Sequence, residues 1–66
     1  MPLGTSHIEE GILQIEKDRL VLRLDGGGRW RLSADAAVYQ LVGRRVRING
    51  VRIGFDLLDV AKTQSC

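Results

Sequence analysis

Apolar and polar residues alternate with period two along most of this chain, and one short segment breaks the pattern. Arg19–Leu24 puts Leu20, Leu22 and Leu24 on one face and Val21 and Arg23 on the other, as a half-buried strand does. After Asp25-Gly26-Gly27-Gly28, whose glycines supply the positive φ values of a hairpin turn, Arg29-Trp30-Arg31-Leu32 alternates again. Trp30 and Leu32 are thereby predicted inward, and both arginines outward. Upstream, His7–Ile15 reads as a first strand, with Gly11 marking a bulge or tight bend of the kind small barrels need. Glu16-Lys17-Asp18 is the polar turn that follows it.

The break comes at residues 33–42. Val38, Leu41 and Val42 recur at helical spacing with Ala34 and Ala37 near the same stripe. Ser33 is a suitable N-cap, and Asp35 adds negative charge to the first turn. Gly43 supplies the left-handed residue that ends many helices, so a helix of two to three turns is predicted. Alternation then resumes in Arg44–Arg52, with Val46 and Ile48 opposing Arg45 and Arg47. Asn49-Gly50 is normally a hairpin signal. Turning there would leave the preceding strand only about five residues, too short for a barrel to close. The preferred reading therefore makes Gly50 a bulge, continues the strand through Val51 and turns at Ile53-Gly54-Phe55-Asp56. Leu57–Ala61 is the last strand.

The predicted order is β-β-β-α-β-β. A helix between the third and fourth of five strands is the oligonucleotide/oligosaccharide-binding (OB) arrangement, a mostly β fold closed into a barrel. An SH3-like barrel is the rival and would have no full helix at 33–42. The expected organisation is a tail at 1–6, one barrel domain at 7–62 and a short tail at 63–66. At 66 residues the chain has room for one core and a thin stability margin. Cys66 is the only cysteine, so an internal disulfide is impossible, and with His7 at the far end no metal-ligand spacing exists. No apolar run approaches a membrane span, and the first residues lack the basic start and apolar core of a signal peptide. The lone thiol suits a reducing compartment, so a cytoplasmic location is expected.

The net charge of +2 hides an asymmetry. Residues 19–52 hold eight arginines against Asp25 and Asp35, a balance of +6. The rest holds Lys17 and Lys62 against six carboxylates, a balance of −4. Arg23, Arg29 and Arg31 are predicted on the outer face of the second and third strands, where OB folds bind single strands, and Arg45 and Arg47 extend the positive field. Such a cluster suits an anionic partner such as single-stranded nucleic acid, because the guanidinium fork matches phosphate. Two facts oppose this: an arginine-rich face is often simply solvated, and the chain has only three aromatic rings. Trp30 is predicted inward, Tyr39 lies in the helix and Phe55 in a turn, so no base-stacking platform is expected.

Other chemistry is thinner. The glycine run 26–28 leads into a strand rather than a helix and lacks the Lys-Ser/Thr step of a phosphate loop. Glu9/Glu10 and Asp56/Asp59 show no sign of burial and no tuning histidine, His7 reads as a surface residue, and Cys66 has no basic neighbour. No catalytic residue, cofactor or small-molecule substrate is expected. Once the barrel is filled, Ile12, Val21, Val51, Phe55 and Leu57 are left over. Of these, Ile12, Val21, Phe55 and Leu57 are candidates for an apolar interface through which the chain would form a homodimer.

The succession Asp25-Gly26-Gly27-Gly28-x-Trp30-x-Leu32, Val42-Gly43-Arg44-Arg45-Val46-Arg47 and Gly54-Phe55-Asp56-Leu57-Leu58-Asp59-Val60 resembles a group of short bacterial proteins classed as a domain of unknown function. More loosely, it is similar to bacterial OB-fold domains with a Gly-Lys/Arg-x-Val-x-Val-x-Gly strand after the helix. The resemblance covers roughly residues 7–62. It implies an OB-like fold and a bacterial origin, and no catalytic residues.

Overall fold

The computed structural model describes residues 4–66, so the first three residues of the expected tail lie outside the described residues. Five strands form the barrel: β1 (Ser6–Glu16), β2 (Arg19–Leu24), β3 (Arg29–Ser33), β4 (Arg45–Arg52) and β5 (Leu57–Ser65). They close in the order β1-β2-β3-β5-β4, with β3 and β5 parallel and every other pair antiparallel. This is the OB-type barrel that the strand order predicts. Closure leaves β1 shared between two partners: Gly11 and Ile12 pair with β2 on one side and β4 on the other. Gly11 serves there as a point of close approach, since a Cβ would press into the Arg23 carbonyl group of β2.

The core is aliphatic. Leu13, Leu20, Leu22, Leu32, Val46, Ile48 and Leu58 are buried, with Leu24, Trp30 and Val60 packed against them as the alternation predicts. Ile15 has inward parity but is 47% exposed, because it sits at the β1–β2 hairpin end of the barrel. That hairpin turns on Lys17 and Asp18 alone, both at positive φ (51° and 65°), the geometry of a type I′ turn.

The Asn49-Gly50 region resolves as the sequence suggests, with one refinement. β4 runs unbroken through Gly50, and the chain turns at 53–56, where the Ile53 amide donates to the Leu57 carbonyl at 2.9 Å. The extra residue of the bulge lies on the partner strand. Asn49 pairs with Lys62 and Gly50 with Val60, which leaves Ala61 unpaired. The bulge switches the inward set of β5 from Leu58 and Val60 to Thr63, the partner of inward Ile48. It also lets β5 run to Ser65, past the expected end of the last strand at Ala61 and through most of the expected tail 63–66. Residues 4 and 5 are likewise engaged, through Gly4 N–H to the Arg52 carbonyl and Arg52 N–H to the Thr5 carbonyl.

The helix is shorter and tighter than predicted. It is a 3-10 helix over Ala36–Leu41, with Asp35 at the N-cap position and no side-chain cap bond. Ser33, the expected cap, ends β3 and pairs with Asp59. The exit is tied to β1, where Gly43 N–H donates to the Leu13 carbonyl at 2.7 Å. Few residues remain to cross the barrel end, and a 3-10 helix, rising about 2.0 Å per residue against about 1.5 Å, spans more distance with them. Val38 and Leu41 still close the core from this segment, and Gly43 has the expected positive φ of 90°. Among the described residues no helix is long and apolar enough to cross a membrane.

Candidate functional site

Strand pairing fixes which outward side chains are neighbours. One row crosses the sheet in register as Arg45 (β4), Ile12 (β1), Arg23 (β2) and Arg29 (β3). The next row runs Gln14, Val21, Arg31 and Leu57. Arg23, Arg29 and Arg31 therefore share one outer face, as predicted. Arg45 is separated from them by Ile12, and Arg47 stands opposite Glu10 on the β1–β4 side.

Two hollows of about 270 and 290 Å³ lie on the β2–β3 face on either side of the Glu16–Arg29 ion pair, which lines both, and together make up one groove. It begins at Gly28 and Arg23, crosses Arg29, and ends at Lys17, Arg19, Val21, Arg31 and Asp56. The β1–β2 turn forms one bank and the β4–β5 loop the other, and these loops flank the ligand face of OB folds. Val21 is on the outer face but only 3% exposed, lying among the groove's long cationic side chains. It therefore contributes no area to the apolar interface expected from Ile12, Val21, Phe55 and Leu57. Ile12 and Leu57 are half-buried, which leaves Phe55 as the fully exposed member. Lys17 and Arg19 are groove residues that the sequence reading missed. Their signal was proximity to the turn that closes the β1–β2 hairpin.

The arginines meet carboxylates. Arg31 donates through Nε (2.8 Å) and Nη2 (2.7 Å) to a single oxygen, Oδ1 of Asp56, and Arg29 bridges to Glu16. Arg45 forks both Nη groups onto the two oxygens of Asp25, and Arg47 donates through Nε to Glu10 at 2.6 Å. The side-chain hydrogen bonding of Arg31 outweighs the desolvation that opposes it and, joined by the charges of Arg31 and Arg29, holds the Asp56 carboxyl below its usual pKa of 3.8. Arg23 faces Arg29 directly across the β2–β3 ladder and has no ion pair among the described residues. Like charges directly opposite on a sheet are destabilising.

The aromatic rings lie in the elements expected of them, and His7 departs from the surface position expected of it. Trp30 points inward and is half-buried, stacked at a tilt on His7 with centroids 5.2 Å apart. His7 is not a surface group: its side chain is 13% exposed, in hydrogen-bond contact with Thr5 Oγ1 at 2.9 Å. Tyr39 is 42% exposed. Phe55, at the apex of the β4–β5 loop, is 86% exposed. Arg52 belongs to no surface patch. It is buried at the barrel end, where Nε donates to the Gly54 carbonyl at 3.0 Å and Nη2 to the Phe55 carbonyl at 3.0 Å. Cys66 is exposed, and among the described residues no group of three or more His, Cys, Asp or Glu could hold a metal ion.

No curated protein and no solved structure matches the chain. The model of a family described as a protein of unknown function (DUF5818) matches residues 10–65, and the chain belongs to that family.

Proposed function

We propose that this domain is a non-enzymatic binding module that takes an anionic strand, single-stranded nucleic acid above all, across the outer face of β2 and β3. The observation that carries this is the Arg23–Arg29 juxtaposition. Two arginines stand opposite each other in the β2–β3 ladder, Arg29 bridged to Glu16 and Arg23 without an ion pair among the described residues, beside Arg19, Arg31 and Lys17, on the face that OB folds use. A phosphate between the two arginines replaces their repulsion with two charge-assisted contacts. The carboxylates on Arg29 and Arg31 are no obstacle, since exposed ion pairs are worth about 0–1 kcal/mol and exchange readily. The exposed thiol of Cys66 fits a reducing, cytoplasmic setting.

Anisotropy of a labelled oligothymidine titrated with the protein tests this. Affinity should fall by about 0.7 log units per phosphate contact for each decade of salt. Replacing Arg23, Arg29 and Arg31 together with Ala should abolish binding, and replacing Arg45 and Arg47 should weaken it less. No binding at low salt, or binding indifferent to the triple replacement, refutes the proposal.

Ile53, 46% exposed, and Phe55 favour a second reading, self-association through the β4–β5 loop. Sedimentation over a wide concentration range should then show a dimer that Phe55→Ala dissociates.

A further inference from the structure

The β4–β5 loop is held through its backbone on both sides of its most exposed residue, Phe55. The Phe55 carbonyl accepts from Arg52 Nε at 3.2 Å and Nη2 at 3.0 Å, and the Gly54 carbonyl accepts from Arg52 Nε as well. On the other side, the Asp56 carbonyl accepts from the Arg31 amide at 2.8 Å, and its carboxylate takes the Arg31 guanidinium. The loop is thus clamped from the barrel end by Arg52 and from β3 by Arg31. The Arg52 guanidinium carbon lies 5.9 Å from the Phe55 ring centroid, while the ring stays 86% exposed. An apolar ring left in water gains nothing from burial, and a loop backbone that is already held limits the entropy lost when its ring is stacked upon. Its chain neighbour Asp56 lines the cationic groove, so the loop that carries the ring stands at the groove's end.

We propose that Phe55 stacks an unpaired base of the strand whose phosphates occupy the β2–β3 groove, so that the ligand is a base-bearing single strand rather than a bare polyanion. This rests on the groove reading above. Stacking is sequence-tolerant because every base has a π face, and Arg52 beneath the ring adds a cation–π contact on the opposite side.

The test crosses the protein variant with the ligand. Wild type, Phe55→Ala and Phe55→Trp are titrated at one low salt concentration against oligothymidine and against an abasic deoxyribose-phosphate strand of equal length. Phe55→Ala should weaken oligothymidine binding from roughly fivefold to more than a hundredfold, the range set by stacking one base. Phe55→Trp should restore it, and all three proteins should bind the abasic strand alike. Equal oligothymidine affinity for wild type and Phe55→Ala overturns the proposal, as does an equal loss on both strands. Failure of wild type to bind either strand overturns the groove reading, and this proposal with it.

Discussion

Gly11→Ala adds one methyl group and should cost a large part of the fold's stability. The new Cβ would stand 2.7 Å from the Arg23 carbonyl carbon and 3.0 Å from Leu24 Cα, with the Arg23 oxygen nearer still. All three are backbone atoms of a paired strand, so β1 and β2 must separate rather than a side chain rotate. Overpacking of this kind costs about 1–3 kcal/mol. Parting the ladder at Leu24 and Arg23 removes one or two hydrogen bonds worth about 1 kcal/mol each. Alanine returns about 0.4–1 kcal/mol by restricting the unfolded chain. The net loss is about 1–5 kcal/mol, against a total of about 3–10 kcal/mol for a chain of this length. Gly26→Ala is the matched control. A Cβ there meets nothing within 4 Å and φ is not positive, so it should be neutral or slightly stabilising. Urea unfolding followed by fluorescence of Trp30, the single tryptophan, measures both. A Gly11→Ala midpoint within about 0.5 kcal/mol of wild type, at unchanged slope, would refute the reasoning about close strand approach.

Three further outcomes are expected. Thr63 Oγ1 is buried with no hydrogen-bond partner among the described residues, so Thr63→Val should raise stability by about 1 kcal/mol in the same urea assay. Asp56 has a folded pKa below its usual 3.8, so its contribution to stability is fully present above that value and is lost as pH falls through the lowered folded pKa. Urea midpoints between pH 2 and 6 should therefore fall less steeply with acid in Asp56→Asn than in wild type, and identical profiles would contradict the Arg31 contact. Glu16→Gln and Asp56→Asn free Arg29 and Arg31, and together they should tighten oligothymidine binding more than Asp35→Asn with Asp59→Asn, which removes the same charge outside the groove.

The legible part of the molecule is what period two and turn chemistry control. The inward leucines of β2, Trp30 and Leu32 of β3 and Val46 and Ile48 of β4 follow from one strand's own pattern, and the 53–56 turn from the strand length that a barrel needs to close. What depends on a partner strand was not legible. Ala61 is an ordinary residue in its own strand and becomes the bulge only through its register against Asn49-Gly50, so the extension of β5 to Ser65 carried no local signal. Ser33 has a cap's chemistry, but parallel pairing with β5 claims it for β3. Phe55 illustrates the same limit at the site. That Phe55 is left over from the core follows from the sequence, whereas the hold on its carbonyl by Arg52, a residue 3 positions earlier, carried no local signal.

Arg52 also shows why counting arginines overstates the binding face. Of the eight, it alone is buried, and backbone carbonyls hold it in a structural role. Arg29, Arg31, Arg45 and Arg47 sit in ion pairs with side chains 41–63% exposed on the arginine side, a regime where each pair contributes at most about 1 kcal/mol. Arg19, Arg23 and Arg44 have no ion pair among the described residues, and two of these three line the groove. The positive field is therefore not the uniform patch that a balance of +6 suggests. Carboxylates neutralise the β1–β4 side through Glu10 and Asp25, while the β2–β3 side keeps Arg19 and Arg23 uncompensated beside Lys17. On the strand-binding proposal, an incoming phosphate would be drawn toward the residual charge, reach Arg19 and Arg23 first, and only then compete with Glu16 and Asp56 for the remaining forks. That order makes Arg23 the replacement with the largest effect on the association rate, and Arg31, which also clamps the Phe55 loop, the one with the largest effect on dissociation.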